Sequence, residues 1–168
     1  HTISPISGET VKMHQVSDID KYLHSFPEGT KYMILAPVAP DLQDGYSAIK
    51  LQEIQKKGYT RLFMTDSSTP VRVQDALNIA TTEKKLSSPL EIIIDRLEVS
   101  DSPNSYSRMA SSVDAAFAEG NGVCHLLVYP GKDKTGIYKE FSNRFEADGI
   151  KFEEPNEMMF NFNNPVGA

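Results

Sequence analysis

Four apolar runs set what this chain can become: Lys31–Val38 (KYMILAPV), Tyr59–Met64 (YTRLFM), Leu90–Val99 (LEIIIDRLEV) and Val123–Tyr129 (VCHLLVY). Each has the length and β-branched content of a strand, and none approaches the roughly 18 residues of a membrane helix. Between them lie stretches of helical period. Ile19, Tyr22, Leu23 and Phe26 recur at i, i+3, i+4 and i+7. Ser17 stands before them as an expected N-cap, with Pro27 and Gly29 behind as stops. A second helix is expected over 45–57, with Ala48, Leu51 and Ile54 on one face and Gly58 ending it. A third is expected over 106–119, burying Met109, Val113, Ala116 and Phe117 and closing at Gly120.

The rest of the chain fits around these elements. Asp66-Ser67-Ser68-Thr69-Pro70 reads as the turn of a hairpin from Tyr59–Met64 into Val71-Arg72-Val73. Composition over 75–85 does not separate a short helix from an ordered loop. After the charged turn 131–136, the segment 137–145 is expected to pair with Val123–Tyr129. Strands joined sometimes by helices and sometimes directly predict an α+β domain: a mixed sheet with helices packed mainly on one face. The periodic segments all lie within 17–145. Residues 1–16 read as a connector arm, and 146–168 as a linker into a following domain.

Composition narrows the function. The 168 residues hold 17 basic and 23 acidic side chains, a formal charge of −6, which argues against a stand-alone nucleic-acid clamp. One cysteine excludes a disulfide framework or a multi-thiolate zinc site built from this chain alone, and fits a reducing compartment. Beginning at His1 without a signal-peptide pattern, the chain reads as a piece of a longer cytoplasmic protein.

No catalytic constellation emerges. Neither a phosphate loop nor a dinucleotide fingerprint is present, and Gly120-Asn121-Gly122 reads as a helix stop. His1, His14, His24 and His125 lack metal-ligand spacing. His125 lies inside an apolar run, where a satisfied core or edge histidine is expected, and Cys124 beside it reads as core packing. Glu153 and Glu154, being adjacent on an extended segment, face opposite ways. Arg61 and Arg96 stand out because each interrupts or ends a strand core. From spacing alone they read as exposed strand residues; held on rigid strands, their planar five-donor forks also suit the carboxylates of a protein partner.

Several blocks, in order, resemble one family. Pro27-Glu28-Gly29-Thr30-Lys31 followed by Met33-Ile34-Leu35-Ala36-Pro37-Val38, Lys57-Gly58-Tyr59-Thr60-Arg61, Leu90–Leu97, Arg108-Met109-Ala110 with Ser112-Val113, and Phe160–Ala168 are similar to segments of the UvrA family of the excinuclease ABC system. The resemblance implies the UvrB-binding region of a DNA-repair ATPase whose ATP loop lies elsewhere. It further implies that Arg61 and Arg96 match the arginines of the UvrB-binding surface. Partners implied are UvrB, DNA through the parent protein, and a second copy of the parent. No cofactor is implied for this piece, since ATP and zinc belong to the rest of the parent.

The chain departs from that pattern in three places. Where the family carries C-P-x-C-G, this chain has Ser4-Pro5-Ile6-Ser7-Gly8 and Phe145-Glu146-Ala147-Asp148-Gly149. Serine hydroxyls are too weakly acidic to replace thiolates, and phenylalanine cannot coordinate at all. Elemental analysis of the purified chain is therefore expected to find no stoichiometric zinc; about one equivalent would contradict this. The family's basic loop is here Ala39–Gly45, carrying Asp41 and Asp44. A divergent paralogue with a resistance or DNA-scaffold role is accordingly the alternative to UvrB docking. An independent small-molecule enzyme is the third reading, with no organised residues behind it.

Overall fold

The computed structural model describes residues 15–131 and 135–143, together with the backbone of the strands Thr2–Ile3 (β1), Thr10–Val11 (β2) and Glu157–Asn161 (β9). Both C-x-x-C-like positions, 4–8 and 145–149, fall outside the described residues, as do Glu153 and Glu154. The remaining order is α1 (Val16–Leu23), β3 (Lys31–Val38), α2 (Ala48–Lys56), β4 (Arg61–Met64), β5 (Thr69–Arg72), α3 (Val73–Glu83), β6 (Leu90–Glu98), α4 (Pro103–Glu119), β7 (Val123–Tyr129) and β8 (Thr135–Ser142). Strands β1 and β2 pair with each other, and the other seven form one sheet in the order β5-β4-β6-β3-β7-β8-β9. The two ends, read as arm and linker, thus both carry backbone pairing.

The α+β class and the one-sided helices are as expected, but every pairing in the sheet is antiparallel, not mixed. The reason is topological. A helical crossover ordinarily brings two parallel strands side by side. Here β6 inserts between β3 and β4, which α2 connects, and β3 inserts between β6 and β7, which α4 connects. Each βαβ unit is split by a strand of opposite direction, so parallel strands never become neighbours.

Local chemistry explains where the helices begin. In α1 the N-cap is Gln15, not Ser17, and its backbone N–H donates to the Asp18 carboxylate at 2.8 Å. Helix α2 starts only at Ala48 because Tyr46 is held in backbone pairing with Leu86, and Ser47 caps the Lys50 N–H at 3.2 Å. The ambiguous 75–85 stretch is helical as far as Glu83, and α3 begins directly after β5, so Val73 is a helix residue and not a strand residue. Helix α4 starts three residues before the expected 106. Ser102 accepts the Ser105 N–H at 3.1 Å, and Pro103, which carries no N–H, leaves the first turn one fewer donor to satisfy.

The helices cover one face of the sheet. Their apolar residues, among them Ile19, Leu51, Ala76, Val113 and Phe117, share a core with Tyr32, Ile34, Leu62, Ile92, Leu126 and Val128 from the strands. Among the described residues, the opposite face carries a smaller buried cluster of strand residues: Met33, Leu35, Phe63, Ile93, Leu127 and Tyr138. Gly45 secures the α2 entry, since a β-carbon there would meet the Leu86 carbonyl oxygen at 2.6 Å. Gly45→Ala is expected to cost about 1–3 kcal/mol by overpacking, read as a lowered denaturant midpoint. An unchanged midpoint would show that the loop yields freely.

Candidate docking face

Side-chain alternation decides what each strand presents opposite the helices. In β4, Leu62 enters the helix-side core and Phe63 the opposite cluster, so Arg61 shares the face of Phe63. In β3, Lys31, Met33 and Leu35 face the same way. Strand β6 starts in step, with Glu91 and Ile93 on this face, but its register against β3 slips by one residue: Leu35 pairs with Ile93, whereas Ile34 pairs with Asp95. This is a β-bulge. Beyond it the parity is inverted, so Asp95 turns toward α4 and Arg96 lies beside Met33 on the face opposite the helices.

Arg61 and Arg96 therefore emerge on the same side of neighbouring strands, and both are exposed. Among the described residues neither guanidinium makes an ion pair or a side-chain hydrogen bond. Arg72 of β5 stands directly across from Arg61, and its Nε donates to Asp75 at 3.2 Å. Two arginines opposite one another, of which only Arg72 has an acidic partner among the described residues, leave net positive charge on this pair. Nearby, a groove of about 830 Å³ runs past Lys31, Met33, Pro70, Arg96, Glu98 and Tyr129. Burial pushes the Tyr129 phenol up to about 12, so it stays a neutral donor at physiological pH.

Further along the same face lies a polar cluster that sequence reasoning did not anticipate as a unit. His125 is buried between two carboxylates: Nδ1 meets Glu91 Oε1 at 2.6 Å and Nε2 meets Glu140 Oε1 at 2.9 Å. The Tyr138 hydroxyl donates to the other Glu91 oxygen. Burial alone would lower the His125 pKa, but hydrogen bonds to Glu140 and Glu91 and the charges of both outweigh it and carry it to about 9. At neutral pH both ring nitrogens consequently donate. The expectation of a satisfied histidine is met, but its partners come from two other strands, β6 and β8. The available signal was Glu91, a carboxylate directly before three consecutive isoleucines. Cys124 is fully buried, and desolvation pushes its thiol well up, as packing and not nucleophilic chemistry requires.

The acidic loop is engaged in local structure. Asp41 accepts both the Ser47 N–H at 2.8 Å and the Ser47 hydroxyl, and the latter bond holds its carboxyl below the usual range. Asp44 pairs with Lys85 and is likewise lowered by that hydrogen bond. Among the described residues no group of three or more His, Cys, Asp or Glu side chains is placed to hold a metal ion.

A split-βαβ α+β domain with two exposed arginines on the sheet face opposite the helices is thus defined. Residues 15–129 match the family model of the UvrA interaction domain, and the chain belongs to that family. It is 30% identical over 166 residues to UvrABC system protein A of Helicobacter pylori, covering 98% of this chain and 17% of the relative. The proteins of the same name from Deinococcus radiodurans and Thermus thermophilus are each 27% identical, again over 98% of this chain and 16% of theirs. The chain spans about one sixth of the length of these curated relatives. No helix among the described residues is long and apolar enough to cross a membrane.

Proposed function

We propose that this domain is a protein-docking module that binds UvrB, within a UvrA-like protein acting in nucleotide excision repair. The observation that carries this is the placement of Arg61 and Arg96 on one face of neighbouring strands, exposed and without acidic partners among the described residues. The strands fix the backbone from which both forks project, and planar guanidiniums pair bidentately with carboxylates. The partner surface should accordingly be acidic. Catalysis is assigned to the rest of the parent, as are ATP binding, DNA contact and homodimerisation, in the cytoplasm. The divergent-paralogue reading draws on the acidic Asp41–Asp44 loop, yet both aspartates are occupied in shaping the entry to α2.

Titration calorimetry of the 168-residue chain against UvrB tests the proposal. Saturable binding that weakens as salt rises from 50 to 500 mM, as exposed charge pairs require, is the expected result (roughly a threefold contraction of the Debye length). No detectable heat across that range would favour the paralogue reading.

A further inference from the structure

We infer that Asp95 is a positioning residue for the docking face: clamped to α4, it holds the β6 bulge that turns Arg96 onto the face it shares with Arg61. Four bonds converge on its carboxylate. Oδ1 accepts the Arg96 backbone N–H at 2.8 Å and Arg108 Nη2 at 2.7 Å; Oδ2 accepts Arg108 Nε at 3.0 Å and the Ser112 hydroxyl at 2.8 Å. Although burial works the other way, these bonds hold its carboxyl below the usual range. Strict alternation from Ile92 would place Ile94 and Arg96 on the helix side and Asp95 on the opposite face. Instead Ile94 packs against the helix-side core and the adjacent Asp95 also reaches α4, so two successive residues point the same way and the next is inverted. The Arg96 N–H is tied to the carboxylate that completes the bulge, which couples the direction of that side chain to a clamp on the other side of the sheet.

The functional half of this inference rests on the docking proposal; the geometric half does not. The test uses Asp95→Ala in the full chain with two readouts. The first is the nuclear Overhauser contact between the Arg96 side chain and the Met33 methyl group, which needs no partner. The second is UvrB affinity in wild-type, Arg61→Ala and Arg96→Ala backgrounds. Asp95→Ala is expected to abolish the Met33 contact. It should weaken UvrB about three- to tenfold in the wild-type and Arg61→Ala backgrounds, with no further loss in Arg96→Ala. A clamp that served stability alone would weaken all three backgrounds equally. That result, or a retained Met33 contact, overturns the inference. Should Asp95→Ala fail to fold, Arg108→Ala, which removes an exposed side chain, is expected to give the same pattern at smaller size, and an unchanged contact there overturns it equally. Loss of the Met33 contact in Asp95→Ala, together with no UvrB binding by the wild-type chain, would leave positioning standing and sink the docking proposal.

Discussion

Replacing His125 with alanine is expected to destabilise the domain by about 3–5 kcal/mol, the usual consequence of removing one member of a buried ion pair. The imidazolium donates to Glu91 and Glu140, and the Glu91 side chain is only 5% exposed. Without the ring, Glu91 keeps only the Tyr138 hydroxyl and a 3.4 Å contact from Thr65 to satisfy a buried negative charge. A chain of this size should lose roughly 6–20 °C in melting temperature. The paired replacement His125→Leu with Glu91→Leu is expected to recover most of that, since it removes the charge as well as its partner. A single alanine variant that melts like the wild type would show that the cluster contributes nothing. The pH dependence has a definite sign. The folded pKa of His125, about 9, lies above the ordinary 6.5 of an unfolded histidine, so the folded state binds its proton more tightly. Its contribution is complete below about pH 6.5 and is lost as pH rises through about 9. The groups facing the ring are Glu91 from β6 and Glu140 and Tyr138 from β8, and burial raises Tyr138 far out of that window. Melting temperature should therefore fall between pH 6.5 and 9 in the wild type and change less in His125→Ala. Parallel profiles would refute the assignment.

Arg61→Ala and Arg96→Ala are each expected to weaken UvrB binding tenfold or more, about 1.4 kcal/mol, if the docking proposal holds. The value sits between a rim charge, worth little, and a fully desolvated charge partner, whose removal costs about 2–5 kcal/mol. Because both residues lie on one face of neighbouring strands, the double variant should lose roughly a hundredfold, less any coupling between them. Arg72→Ala should lose less, because Asp75 already occupies its guanidinium. Melting curves of the Arg61 and Arg96 variants should stay close to wild type, since exposed side chains without partners among the described residues contribute within about 0.5 kcal/mol. Calorimetry beside thermal melts separates the two effects. Unchanged affinity in both single variants would return the arginines to exposed strand residues.

Strand positions and apolar helix faces were legible in the chain itself. Lys31–Val38 and Val123–Tyr129 form strands with the expected bounds, and Met109, Val113, Ala116 and Phe117 are all buried, because local periodicity and the burial of one face act on near neighbours. Helix α3 was not separable, since its burial rests on Val73, Ala76 and Ala80, small residues that mark no strong stripe until α2 packs beside them. Which strands became neighbours was decided in three dimensions: β3 and β6, far apart in sequence, each insert into the other's crossover and make every pairing antiparallel. The direction of Arg96 was decided the same way. Alternation read along LEIIIDRLEV places Arg96 with Ile92, on the face opposite to Arg61, and only the bulge against Ile34 and Leu35 reverses it. His125 likewise had a predictable need but unpredictable partners, because Glu91 and Glu140 meet it through strand register. Periodicity is a property of one segment, whereas register and bulges arise from two strands bonding to each other, and no single segment encodes them.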